Sequence, residues 1–292
     1  MQAIKCEKLT KFYGAARGIV DVDLSVDEGD FFGFIGPNGA GKSTTIRILL
    51  GLINESRGSA KIFDKDIKSS RTELLKNIGY LPSETSFYSG MRVSDVLKLS
   101  AKLRGVDCSA EARRLCERLE LDTTRKIDEL SLGNRKKVGI VCAVQHSPAL
   151  YVLDEPTSGL DPLMQREFYS ILKEKNDEGA TVFLSSHVLS EVERYCKHAA
   201  VIREGKIIVS DSIANLAHTG IKSVTLQGAV QIPEIDGIKN VKILPDSASF
   251  LYSGSAEALV RALGEVSFTD ITITDTELED AFMHYYEGGN DK

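Results

Sequence analysis

Val20, Val22, Leu24 and Val26 alternate with Asp21, Asp23 and Ser25, the period of a strand with one buried face. The first thirty residues read as strands of this kind, expected to pair antiparallel. Glu28-Gly29-Asp30 predicts a turn into the apolar run 31–35, a buried strand that ends at a glycine-rich loop. A helix is expected from residue 43 to about 52. Residues 86–147 read as helical, since in VSDVLKLSAKLRG and AEARRLCERLEL the apolar positions recur every three to four residues. The runs 151–153 and 181–185 return to buried-strand composition, and 201–209 reads as a hairpin turning at Glu204-Gly205. Strands alternating with helices predict an α/β core with a mainly parallel sheet, into which a helical subdomain of about residues 86–147 is inserted.

The pattern changes after residue 217. Short strands at 224–226, 241–244, 250–252 and 271–273, with two helices among them, predict a small α+β domain over 219–292, after a first domain of 1–218. His218-Thr219-Gly220 reads as the linker, and Thr276-x-x-Glu279 as a capping box opening the last helix.

Composition narrows the class. Of 292 residues, 42% are hydrophobic and 27% charged, the balance of a soluble globular chain. The longest apolar run, IRILLGLI at 46–53, contains Arg47 and falls far short of the roughly 20 residues a membrane helix needs. The N-terminus MQAIKCEKLT lacks the apolar core of a secretion signal. Five scattered cysteines with no CxxC pair favour reduced thiols over a disulfide framework or a zinc site. A net charge of -6 argues against a nucleic-acid-binding surface. These features predict a soluble intracellular protein that does not insert into a membrane and does not bind nucleic acid.

The candidate chemistry begins at residues 36–44, GPNGAGKST, which match G-x-x-x-x-G-K-[ST] at Gly36, Gly41, Lys42 and Ser43 between a predicted strand and a predicted helix. Glycines let backbone N–H groups converge on phosphate oxygens at the positive end of a helix. Lys42 supplies a charge for the outer phosphates, and the Ser43 hydroxyl can reach Mg²⁺. The bland alternative is a glycine-rich turn with an incidental lysine, which leaves the agreement of strand, loop and helix unexplained. Further along, the apolar strand ALYVL runs into Asp154-Glu155. In a chain with a phosphate loop, Asp154 would hold Mg²⁺ through its water shell and Glu155 would orient or deprotonate the attacking water.

With these motifs in that order, residues 1 to about 215 resemble the nucleotide-binding subunit of ATP-binding-cassette (ABC) transporters. The resemblance implies that the loop residues Gly36, Pro37, Asn38, Gly39, Ala40, Gly41, Lys42, Ser43 and Thr44 cradle ATP. Leu130-Ser131-Leu132-Gly133-Asn134 stands where the family has L-S-G-G-Q, so Ser131 and Gly133 are implied to meet the γ-phosphate of ATP on a second subunit. Asp161, in Ser158-Gly159-Leu160-Asp161, falls in the segment implied to line that subunit interface. His187, after Ser185-Ser186, takes the place of the γ-phosphate-sensing histidine. Tyr13 takes the place of the aromatic that stacks on adenine, an interaction of about 1–3 kcal/mol. Read without the resemblance, Tyr13 is an ordinary strand aromatic, Ser131 a helix cap and His187 a helix-start residue.

Two departures stand out. The signature reads L-S-L-G-N, similar to the variant of drug-exporter-type members. Ser83 follows Pro82 where the family usually has a glutamine that contacts Mg²⁺ or water, with Glu84 next to it. Ser83 is therefore implied as a metal-site residue beside Ser43 and Asp154, and either Ser83 or Glu84 could take the glutamine's place. The ending Leu278-Glu279-Asp280-Ala281-Phe282 is similar to the close of exporter ATPases, whose accessory domain could contact the dimer partner.

The expected protein is thus an ATPase using ATP and Mg²⁺. It would dimerise with a second cassette around two ATP molecules and drive a separate transmembrane permease, as an exporter more than an importer, from the cytoplasmic face of the cell membrane. Soluble cassettes of translation or repair are the alternative. They usually carry a second cassette, a long coiled coil or a zinc hook, and the chain has none of these.

Overall fold

The structure is a computed structural model that describes residues 1–14, 16–217, 221–228 and 231–275. Along the chain come β1 (Gln2–Tyr13), β2 (Ala16–Asp27), β3 (Phe31–Ile35), α1 (Lys42–Leu49), β4 (Arg57–Ile62), β5 (Lys65–Asp66), α2 (Arg71–Lys76) and β6 (Ile78–Leu81). The helices α3 (Val93–Arg104), α4 (Ser109–Arg118) and α5 (Leu132–Val144) follow. Then come β7 (Leu150–Asp154), α6 (Pro162–Asp177), β8 (Thr181–Ser186), α7 (Leu189–Tyr195), β9 (His198–Arg203) and β10 (Lys206–Ser212). The last described elements are α8 (Ile213–Ala217), β11 (Ile221–Gln227), β12 (Ile238–Leu244), β13 (Ser247–Ser253), α9 (Ala256–Leu263) and β14 (Asp270–Asp275). The chain divides into two compact units at Ser210/Asp211.

The first unit has the α/β architecture that the alternation of strands and helices predicts. Its larger sheet runs β10-β9-β3-β8-β7-β6, and β9, β3, β8, β7 and β6 are parallel neighbours. A parallel sheet covered on both faces needs apolar strands, and β3, β7 and β8 are buried along their whole length. Phe34 and Phe32 pack on Phe183 at ring-centroid distances of 5.5 and 6.0 Å. The second sheet, β2-β1-β4-β5, is antiparallel. In β2 the alternation is not continuous: Ile19, Val22, Leu24 and Val26 are buried, while Val20 is only half-buried. Asp21 has φ 48°, and between the pairs Lys11–Ile19 and Leu9–Val22 the strand holds one extra residue. That bulge moves the inward face by one position, which plain period-two counting misses.

The helical block spans α3 to α5 and starts later than residue 86, at Val93. It is tied to the sheet unit by an ionic network between α4 and α6. Arg114 pairs with Glu111 and Glu174 at 2.8 and 3.2 Å, Arg118 with Glu174 at 2.6 Å, and the buried Lys175 with Glu111 at 3.2 Å. Of these groups only Lys175 is buried, so the network fixes where α4 sits on α6 more than it adds stability.

The second unit contains the antiparallel sheet β12-β13-β11-β14. Its small core joins Val224, Leu226, Phe250 and Tyr252 to Leu259 and Leu263 of α9. The expected linker His218–Gly220 and the helix expected from Thr276 lie outside the described residues. No described helix is long and apolar enough to cross a membrane.

His146, just after α5, places Nε2 3.3 Å from the Ile78 carbonyl, which Arg104 also donates to. Burial first, and then the Arg104 charge, lower its pKa from 6.5 to about 4. Below pH 6.5 the unfolded chain takes up a proton that the folded chain refuses until about pH 4, so stability falls as pH drops through that window. A His146→Gln variant is expected to lose less stability between pH 6.5 and 4 in denaturant melts; an unchanged acid-side slope would refute the assignment.

Candidate functional site

β3 ends at Ile35, and the chain turns through 36–41 into α1. Gly36 and Ala40 are buried beneath the turn, while Pro37, Asn38 and Gly39 are exposed at its lip. Gly41 is the N-cap of α1 and carries no side-chain cap, so the helix presents its first backbone N–H groups outward. Its φ of 112° lies where L side chains are strained, and an added Cβ would come 2.6 Å from Ile19 Cγ2. An open helix N-terminus with a lysine beside it is a site for a polyanion.

A concavity of about 300 Å³ opens there, lined by Pro37, Asn38, Gly39, Gly41, Lys42, Ser43 and Thr44. Tyr13, Ser83 and Glu155 complete its wall. Lys42 is only 5% exposed; its Nζ donates to the Gly36 and Pro37 carbonyls and lies 3.2 Å from Glu155 Oε1. The other oxygen of Glu155, Oε2, is 2.7 Å from His187 Nδ1. The sequence-expected Lys42, Glu155 and His187 therefore form one chain of contacts.

Asp154 closes β7, is 2% exposed, and accepts a hydrogen bond from Ser185 Oγ at 2.6 Å. One residue on, Glu155 has φ 47°, a left-handed conformation uncommon for a non-glycine residue and often found where function demands strain. Its N–H donates to the Ser185 carbonyl at 3.2 Å. Ser83 lies in the concavity wall, whereas Glu84 is exposed and not part of it. Ser43, Ser83 and Glu155 bring oxygen donors, the donor type Mg²⁺ takes, to the concavity wall, whereas Asp154 is not part of that wall.

Ser131, Gly133 and Asp161 do not line this concavity. Ser131 caps α5, accepting from the Asn134 N–H at 3.3 Å, and Leu132 beside it is 67% exposed. Gly133 lies against the 158–161 segment, where an added Cβ would meet the Gly159 carbonyl at 2.8 Å. Asp161 Oδ1 accepts from the Leu163 and Met164 N–H groups, both at 3.0 Å, and so caps α6. The structure thus separates the expected ligand contacts into a phosphate concavity and a second surface patch on the same chain.

Sequence reasoning missed three residues. Arg17 and Gly18, just after the Tyr13–Ala16 pair that opens β2, line the concavity; their closeness in sequence to Tyr13 was the available signal. Lys136 on α5 is 2% exposed and faces Asp154 and Glu155; burial outweighs those charges and lowers its pKa to about 8. Nothing in the pattern around Lys136 marks it out from its neighbours Arg135 and Lys137.

The comparisons bear on the family and the fold. The profile of the ABC transporter family matches residues 19–158. The bacitracin transport ATP-binding protein BcrA of Bacillus licheniformis is 33% identical over 98% of this chain and 98% of its own length. The lantibiotic transport ATP-binding protein SrtF of Streptococcus pyogenes is 36% identical over 70% of this chain and 89% of its own. Among solved structures, an ATP-binding subunit of an ABC transporter superposes with a TM-score of 0.69 at 30% identity, covering 73% of this chain and 91% of that one.

Gly41→Ala combines a strained φ with a clash against Ile19. It is expected to cost about 1–3 kcal/mol in a denaturant melt and to abolish binding of a fluorescent nucleotide triphosphate; retained binding would show that the loop does not need this conformation.

Proposed function

The chain belongs to the ATP-binding subunit family of ABC transporters, and we propose that it hydrolyses ATP to drive export through a separate membrane permease. The observation that supports this reading best is the Lys42–Glu155–His187 contact chain at the open N-terminus of α1.

The residues act as follows in this proposal. The amides of 39–44 and the Lys42 ammonium hold the triphosphate, and Tyr13, 46% exposed at the concavity rim, stacks on the adenine. A triphosphate competes with Glu155 for Lys42, because both are anions and Lys42 has one charge to share. Released from Lys42, the Glu155 carboxylate accepts a proton from the attacking water while His187 keeps the carboxylate oriented. Ser43, Asp154 and Ser83 would hold Mg²⁺, which supplies positive charge against the β- and γ-phosphate oxygens. Ser83, rather than Glu84, takes the position of the family's glutamine.

Ser131, Gly133 and Asp161 are not part of the concavity wall, which supports the reading that they meet the ATP of a second cassette. A homodimer with two-fold symmetry then holds two ATP molecules at two equivalent interfaces. The permease docks on the apolar groove between α2 and α3, about 820 Å³ and walled by Tyr88, Leu99 and Leu103. Tyr88 and Leu103 are 76% and 75% exposed, which is unusual for apolar side chains that have no partner to meet. In this reading the chain works at the inner face of the cell membrane. Export is favoured over import by the end-to-end likeness to a bacitracin transport protein, which continues through the C-terminal unit; that unit is proposed to contact the dimer partner.

Glu155→Gln should still bind ATP, accumulate as a dimer, and turn over at least about a hundredfold more slowly, measured by phosphate release; near-normal turnover would remove Glu155 from its role. Tagged Glu155→Gln, purified with ATP from detergent-solubilised membranes, should carry a polytopic membrane protein in stoichiometric amount. Recovery of soluble partners alone would replace the transporter motor with a soluble ATP switch.

A further inference from the structure

We propose that Lys136 is a positioning residue that ties the signature helix to the backbone of Glu155 and to the Ser83 loop through one buried ammonium. This rests on the ATPase reading above.

The geometry is specific. Lys136 lies on α5, the helix that Ser131 caps. Its Nζ donates to three backbone carbonyls: Pro82 at 3.0 Å, Ser83 at 2.9 Å and Glu155 at 3.1 Å. An ammonium has three donors and no acceptor, so these three bonds use it completely. At 2% exposure no solvent can substitute for any of them. The three carbonyls come from two separate parts of the chain: the first two residues after β6, and the residue after β7.

Each bond falls where the chemistry is sensitive. Glu155 is held in its left-handed conformation from both sides, its N–H by Ser185 and its C=O by Lys136. Rotation of that peptide would swing the carboxylate away from Lys42 and His187. Ser83 and Pro82 form the loop that faces the concavity, and Lys136 fixes it by backbone and leaves the Ser83 side chain free to face inward. One turn further along α5, an added Cβ on Gly139 would come 2.6 Å from Thr85 Cγ2 and 2.9 Å from Leu81 Cδ1. The 81–85 segment therefore rests on α5 by close packing as well as by the Lys136 bonds. A displacement of α5 carries the Ser83 loop with it and pulls on the Glu155 carbonyl. A helix whose first turn is offered to one nucleotide is in this way bound to the carboxylate that serves another.

Neither a hydrophobic residue nor a shorter donor reproduces this. Methionine leaves three buried carbonyls unpaired, and glutamine offers two donors from a shorter stem. Arginine can donate to the same carbonyls with a permanent charge.

The test uses the purified full chain with Lys136→Met, Lys136→Gln and Lys136→Arg variants. Steady-state ATP hydrolysis is corrected for the folded fraction read from each melting curve, and ATP affinity is measured separately by nucleotide titration. The expected result is a loss of about tenfold or more in kcat for Met and Gln, with KM and ATP affinity within about twofold of the native chain. Arg is expected to recover most of the rate. Amide hydrogen exchange in Met should rise at residues 82–85 and 155–158, and stay unchanged in α1. Native kcat in Met and Gln would overturn the proposal. So would a parallel loss of kcat and ATP affinity that Arg does not repair, since that is the pattern of general structural damage. If Met does not fold, the Gln and Arg pair decides by the same criteria. Failure of the native chain itself to hydrolyse ATP would overturn the parent reading, and this proposal with it.

Discussion

Lys42 is an ammonium only 5% exposed, and the site is arranged around that constraint. A buried charge must be compensated by hydrogen bonds and an opposite charge or it shifts to neutral. Two carbonyls of its own loop and the Glu155 carboxylate provide this. One set of contacts keeps the loop curved and Glu155 aimed inward, so a single side chain ties the two together. In the proposed function a triphosphate exchanges with Glu155 for that charge.

The surrounding fold holds that chain of contacts at fixed ends. β3 and β7 are both in the middle of a parallel sheet, and each delivers its functional segment at the carboxyl end of its strand, as ligand sites on open α/β sheets do. The strain of Glu155 at φ 47° is sustained because its N–H is bonded to β8 and its carbonyl to α5. The helical block is not loosely attached. Its α4 is tied to α6 by the Arg114, Arg118 and Lys175 pairs, and α6 begins at Asp161. A movement of the block must therefore be felt at the 158–161 segment as well as at the Ser83 loop.

The signature region shows the use of one residue for two purposes. Ser131 and Asp161 already have local employment as helix caps, at α5 and α6. Capping fixes the first turn of each helix and leaves other oxygen lone pairs available, so a local role does not exclude a partner-facing one. The exposed Leu132 and the close approach of Gly133 to Gly159 put apolar and backbone surface beside those caps.

The sequence by itself determined the α/β class, the phosphate loop, the Asp154-Glu155 pair and the family, because each is carried by local spacing. A glycine pattern dictates a turn, and an apolar run that ends in two carboxylates dictates a strand end, whatever the rest of the chain does. It also predicted a helical block from about residue 86, whose first helix starts at Val93, and a change of character after residue 217, whereas the compact units divide at Ser210/Asp211. Only the tertiary structure decided which side chains share one concavity, since Tyr13, Lys42, Ser83 and Glu155 are brought together from four separate segments, with His187 from a fifth in contact with Glu155. It put Ser83 in the wall of the concavity and left Glu84 exposed outside it, a difference between neighbours that composition cannot resolve. It found the β2 bulge, because a single residue at positive φ changes the face of everything beyond it. And it identified Lys136, whose three acceptors are backbone carbonyls: a main-chain oxygen has no letter in the sequence, so a residue that works through such oxygens becomes visible only when the chain is folded.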